Sequence, residues 1–101
     1  MTLREIMKSV SSYNKLIALH KVGDYEKFEP YSVAIWWNHN FICRAKTYQE
    51  LRNGLCKEMN GDLVDIILNH DFKGFNEEIE YISKLWGKDK FKIYISIERG
   101  K

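Results

Sequence analysis

Two tryptophans, Trp36 and Trp37, stand side by side in the stretch Tyr31-Ser32-Val33-Ala34-Ile35-Trp36-Trp37-Asn38-His39-Asn40-Phe41-Ile42-Cys43-Arg44-Ala45. Apolar runs rich in β-branched and aromatic residues, broken by a polar triplet, read as a β-hairpin. Successive side chains of a strand point to opposite faces, so the two indoles cannot enter one core. A three-residue loop, Asn38-His39-Asn40, gives a register that sorts the faces. It sets Trp37 opposite Phe41, Ile35 opposite Cys43 and Val33 opposite Ala45 on one face. The other face then carries Trp36 with Ile42, Ala34 with Arg44 and Ser32 with Lys46. The first set is apolar and the second mixed. Trp37 is therefore expected in the core and Trp36 on the opposite face, with Asn40 in the left-handed conformation that ends such loops.

Helices are expected on either side of the hairpin. Thr2-Leu3-Arg4-Glu5 is a capping box, followed by Leu3, Ile6, Met7 and Val10 at helical spacing. Ser11 and Ser12 interrupt the pattern. Either one bent helix or two short ones fit, the second carrying Leu16, Ile17 and Leu19 and ended by Gly23. Residues 23–30 read as a loop or a short extended piece, and Pro30 disfavours helix at Glu29. A second capping box, Thr47-Tyr48-Gln49-Glu50, starts a helix with Tyr48, Leu51, Leu55 and Met59 on one face. Gly61 is expected to end it and Asp62 to cap the next, whose stripe is Leu63, Val64, Ile67 and Leu68.

The last third admits two readings. Asn76-Glu77-Glu78 could open a helix that Gly87 stops. The alternative, which we prefer, is two strands, 79–86 and 91–98, around a Gly87-Lys88-Asp89-Lys90 turn. Phe91, Ile93, Ile95 and Ile97 alternate strictly, as in a half-buried strand. A lone hairpin is marginal in water, so 91–98 should join the tryptophan hairpin. The expected fold is α+β: one domain with an antiparallel sheet of three or four strands and helices packed mainly on one face.

Composition narrows the function classes. The chain has 101 residues, 45% of them hydrophobic, which suits a folded single domain. A net charge of +2 does not by itself call for nucleic acid. Two cysteines, Cys43 and Cys56, are too few for a disulfide scaffold and read as reduced thiols. No apolar run approaches the ~20 residues of a membrane span, and no secretory leader is seen, so a cytoplasmic protein is expected.

Catalytic signatures are missing. His20, His39, His70, Cys43 and Cys56 show no metal-ligand spacing, so no metal or other cofactor is expected. Cys43 falls on the core face and Cys56 beside a core stripe, where cysteine acts as a small hydrophobe. Asp62 and Asp65 are explained by a helix start. There is no phosphate-cradling glycine loop and no nucleophile elbow. A non-enzymatic binding protein is the expectation.

Its expected contact face carries Trp36, Arg44, Lys46, Asn38 and His39. Tryptophan and arginine dominate interface energetics, and an aromatic ring beside cations also suits a nucleic acid strand. Packing of Trp36 under a helix is the bland alternative, and burial in a homodimer is another. Charge is also segregated: Asp62, Asp65, Asp71, Glu77, Glu78 and Glu80 crowd residues 62–80, while Lys84, Lys88, Lys90, Lys92, Arg99 and Lys101 follow. Either these are solvated surfaces that neutralise each other, or the acids form a second candidate docking patch.

The stretches Thr2-Leu3-Arg4-Glu5-Ile6-Met7, Ser12-Tyr13-Asn14, Asp65-Ile66-Ile67-Leu68-Asn69 and Phe75-Asn76-Glu77-Glu78 resemble small accessory proteins of phages and mobile elements of Gram-positive bacteria. The resemblance covers about a quarter of the chain and assigns no site residue. It implies a context: a protein that binds a host nucleoprotein involved in defence, similar to anti-CRISPR proteins in size and in lacking an active site.

Overall fold

A computed structural model describes residues 1–20, 30–83 and 87–99. Its elements are α1 (Leu3–His20), β1 (Tyr31–Trp37), β2 (Asn40–Ala45), α2 (Tyr48–Glu58), α3 (Gly61–Asn69), β3 (Asn76–Ser83) and β4 (Gly87–Arg99). The strands form one antiparallel sheet in the order β2-β1-β4-β3. The fold is α+β, as the sequence implies.

The helices cover one face of this sheet. Leu3, Ile6, Met7 and Val10 of α1, Leu51 and Leu55 of α2, and Val64, Ile67 and Leu68 of α3 share a buried core with Val33, Ile35, Cys43, Ala45, Ile79, Phe91, Ile93 and Ile95. Every strand residue in that set lies on the same side of the pleat. β1 is central and its residues 32–35 are all buried, as expected of a strand flanked on both sides. Ser32 and Ala34 lie on the face without helices. There, the ion pair between Arg44 of β2 and Glu98 of β4 spans β1 at 2.8 Å and shields them.

The first capping box forms in full and the second in half. The Thr2 N–H donates to Glu5 Oε1 at 3.1 Å, and Thr47 Oγ1 accepts the Glu50 N–H at 3.2 Å. Glu50 reaches back to the Lys46 N–H rather than to its own cap. α1 is one continuous helix through Ser11 and Ser12, and Ser11 Oγ donates to the Lys46 carbonyl at 3.0 Å. The two-helix alternative, interrupted at Ser11 and Ser12, is therefore not adopted. Asn14 does more: its amide donates to the Tyr31 carbonyl and accepts the Tyr31 N–H, pairing with the first residue of β1 as a strand would. The expectations for Gly23 and the 23–29 loop lie outside the described residues.

Five local expectations are corrected. α2 ends at Glu58 with Met59 as its C-cap, and Asn60, not Asp62, caps α3 by accepting the Asp62 N–H at 2.8 Å. The preferred strand holds over the helix alternative but is β3, Asn76–Ser83, rather than 79–86, and its alternate residues Glu77, Ile79 and Tyr81 align with Ile93, Phe91 and Asp89 of β4. β4 begins at Gly87, so residues 87–90 are strand rather than a turn, and residues 84–86 lie outside the described residues. The first hairpin closes through two residues rather than three. Asn38 and His39 have φ of +45° and +71°, as a type I′ turn demands. Trp36 then faces Phe41 and Trp37 faces Asn40, and the spare residue is absorbed as a bulge next to Ile35. Val33 with Ala45, Ala34 with Arg44 and Ile35 with Cys43 keep the expected pairing.

The cysteines differ sharply. Cys43 is buried, and desolvation followed by the Glu58 carboxylate pushes its thiol up to about 11, whereas Cys56 is exposed and not part of the core. Thiolate is the reactive form. A thiol reagent at mild alkaline pH is expected to label Cys56 quickly and Cys43 only on unfolding. Equal labelling rates, read by mass spectrometry, would contradict this packing.

Candidate functional site

The sheet face that carries no helix holds the site. On this face the side chains of Phe41 (β2), Trp36 (β1), Tyr94 (β4) and Asn76 (β3) are directly registered, one from each strand. Strands lie about 4.8 Å apart, so this rung runs about 14 Å across the sheet. The Trp36 ring meets Phe41 at 5.3 Å and Tyr94 at 6.5 Å, edge to face in both cases. Phe41 and Tyr94 remain 45% and 43% exposed, so the rung presents two open rings around a half-buried indole.

Beside the rung lies a hollow of about 350 Å³ lined by Trp36, His39, Asn76, Lys92 and Tyr94. The hairpin turn forms one wall. The Asn38 N–H donates to the Lys92 carbonyl and Asn38 Oδ1 accepts the Lys92 N–H, both at 2.9 Å, which fastens the turn to β4. This sets His39 over the hollow. On the other side of the rung, the Arg44 guanidinium lies 5.0 Å from the Phe41 ring centre and is held by Glu98 through its Nε at 2.9 Å.

The structure brings together Trp36, Asn38 and His39 among the sequence candidates and places Arg44 at the edge of the aromatic row. Lys46 stands apart. It lines a separate recess of about 260 Å³ with Ser32, Arg44, Ala45 and Glu50, at the far end of β1. Asn38 serves the turn more than the surface. Sequence reasoning missed Phe41, Tyr94, Lys92 and Asn76. One signal was present: strict alternation through Phe91, Ile93 and Ile95 leaves Tyr94, a large aromatic, on the opposite face among Lys90, Lys92, Ser96 and Glu98.

The acidic candidates are divided. Asp62 and Asp65 are exposed on α3, in the helix layer. Glu78 and Glu80 lie on the opposite, helix-free sheet face, across from Lys92 and Lys90, and Glu80 also pairs with Lys88. Glu77 points to the covered side and joins His70 Nε2 at 2.7 Å while accepting the Lys73 N–H. Burial pushes its carboxyl up, but those two hydrogen bonds outweigh it and hold the group below the ordinary glutamate range. Asp71 accepts from the Met1 ammonium, a contact that lowers its carboxyl. Cross-strand neutralisation thus accounts for much of the charge segregation seen in the sequence.

Among the described residues no three His, Cys, Asp or Glu side chains are grouped to hold a metal. Nor is any helix there long and apolar enough to cross a membrane. No family model, no curated protein and no solved structure matches the chain, so the resemblance to accessory proteins of mobile elements rests on its short sequence stretches alone.

Proposed function

We propose that this is a non-catalytic binding protein that docks on a macromolecular partner through the helix-free face of its sheet. The observation that carries the reading is the cross-strand row of Phe41, Trp36 and Tyr94, two of whose rings are left open where four helix-covered strands have already supplied a core. Exposed aromatic clusters on a small domain mark interaction surfaces. The sequence resemblance suggests the setting, a phage or mobile element protein acting on a host nucleoprotein of defence, in the manner of an anti-CRISPR inhibitor.

The test is capture from a Gram-positive bacterial extract, compared across variants. Trp36→Ala and Tyr94→Ala are expected to lose the captured species. Arg52→Ala, an exposed change on α2, is expected to retain it. Equal capture by all three would show that the partner does not use this face.

A further inference from the structure

The hollow at the aromatic row has a chemistry more specific than a general docking surface. Its lining combines two aromatic rings, a carboxamide, an imidazole and one cation, Lys92, and no carboxylate. Lys92 belongs to none of the ion pairs among the described residues. Along the same face Lys92 stands across from Glu78 and Lys90 from Glu80, to which Lys88 is also bound. Lys92 is the cation that lines the hollow beside the rings, and Glu78 is not among the lining residues. A flat ring with polar edges, joined to an anionic backbone, complements this arrangement.

Two further features set the hollow apart from the rest of the fold, and both cost stability. His39 holds a left-handed backbone at φ +71°, a position where type I′ turns prefer glycine. The Trp36 indole N–H is buried with no acceptor among the described residues, a defect that phenylalanine would not carry. Local rules broken together at one place mark functional sites.

From these observations we infer that the hollow formed by Trp36, Tyr94, His39, Asn76 and Lys92 binds the bases of a single-stranded nucleic acid. The inference rests on the docking reading and names the component that this face contacts. Tyr94 on β4 and Phe41 on β2, one on each side of Trp36 on β1, supply stacking surfaces, Asn76 and His39 offer hydrogen bonds to base edges, and Lys92 meets a phosphate. A four-stranded sheet whose exposed aromatic side chains stack bases is a known solution to this problem. The length of the row limits it to about two or three stacked bases. With only Lys92 and the Glu98-bound Arg44 near the row, the salt dependence is shallow, about 0.7 in log–log slope for each neutralised phosphate.

The experiment is fluorescence anisotropy with short labelled oligothymidylate and oligouridylate, and with a duplex of equal length, over a salt series. Wild type is expected to bind the single strands and not the duplex. Tyr94→Ala is expected to weaken binding about 5-fold to 100-fold, the range for loss of one stacked base. Lys92→Ala is expected to flatten the salt dependence. His39→Gly is the decisive variant: it relieves the turn, so its melting temperature should rise while its affinity falls, a combination that unfolding cannot produce. Failure of wild type to bind either single strand at low salt, equal binding of duplex, or wild-type affinity in Tyr94→Ala and His39→Gly would each overturn the assignment. If oligonucleotides do not bind but nuclease-treated extract still yields a partner that Tyr94→Ala loses, the nucleic acid assignment falls and the docking reading stands.

Discussion

Replacing Trp37 by alanine is expected to destabilise the protein by about 3 kcal/mol, toward the low end for deleting a large aromatic from a core. Trp37 lies on the helix-covered face and stacks on Phe91 of β4, with ring centres 3.9 Å apart and planes 29° apart. It is half-buried, so the loss falls short of a fully enclosed site. Its removal opens the end of the core where the turn meets β4. The neighbouring Trp36→Ala should cost less, about 1–2 kcal/mol, because its contacts are edge-to-face with two open rings and its buried N–H has no acceptor to lose. Chemical denaturation of the two variants side by side checks this. A larger loss at Trp36 than at Trp37 would mean that the faces are assigned the wrong way round.

The second large effect is expected at Gly54, in the middle of α2. A methyl group there would lie 2.8 Å from Cys43 Cβ and 3.2 Å from its Sγ. The first contact involves an atom fixed by the β2 backbone, so no rotamer change relieves it. Alanine is the better helix former by about 1 kcal/mol, and on an exposed helix Gly→Ala would stabilise. Here overpacking of about 1–3 kcal/mol opposes that gain, so Gly54→Ala is expected to lower the melting temperature. Gly54→Val, with two more carbons and a β-branched penalty, should cost about 3 kcal/mol or more. Cys43→Ala should not rescue either variant, since the closer contact is to Cβ. A Gly54→Ala protein that melts higher than wild type would show that α2 rides farther from β2 than this.

The helices were legible from local signals. The first capping box forms in full and the second in half, and Leu3, Ile6, Met7 and Val10 of α1, Leu51 and Leu55 of α2, and Val64, Ile67 and Leu68 of α3 are buried as their spacing implies, whereas Leu16 is exposed. The strict alternation ending in Ile97 marks β4, and the two faces of β1 are sorted correctly at Val33, Ala34 and Ile35. The hairpin turn was not legible to one residue. Asn38-His39-Asn40 admits loops of two or three residues, and the choice depends on β4, whose Lys92 exchanges two hydrogen bonds with Asn38. The segment from Asn76 was similarly undecided, because two glutamates fit a helix start as well as a strand edge.

Period and capping in the sequence, by themselves, determined an α+β domain with Trp37 inward, Trp36 outward and Cys43 in the core, because those features are set by residues a few positions apart. The tertiary structure alone decided which residues meet on the open face. Phe41, Trp36, Tyr94 and Asn76 become one rung only when β1 pairs with β4 and β4 with β3, across separations of more than fifty residues in the first case. The same pairing sets Lys90 and Lys92 across from Glu80 and Glu78 and brings Lys92 beside the rings. Sheet register of this kind is a property of long-range strand pairing, and no local pattern encodes which partner a side chain will face.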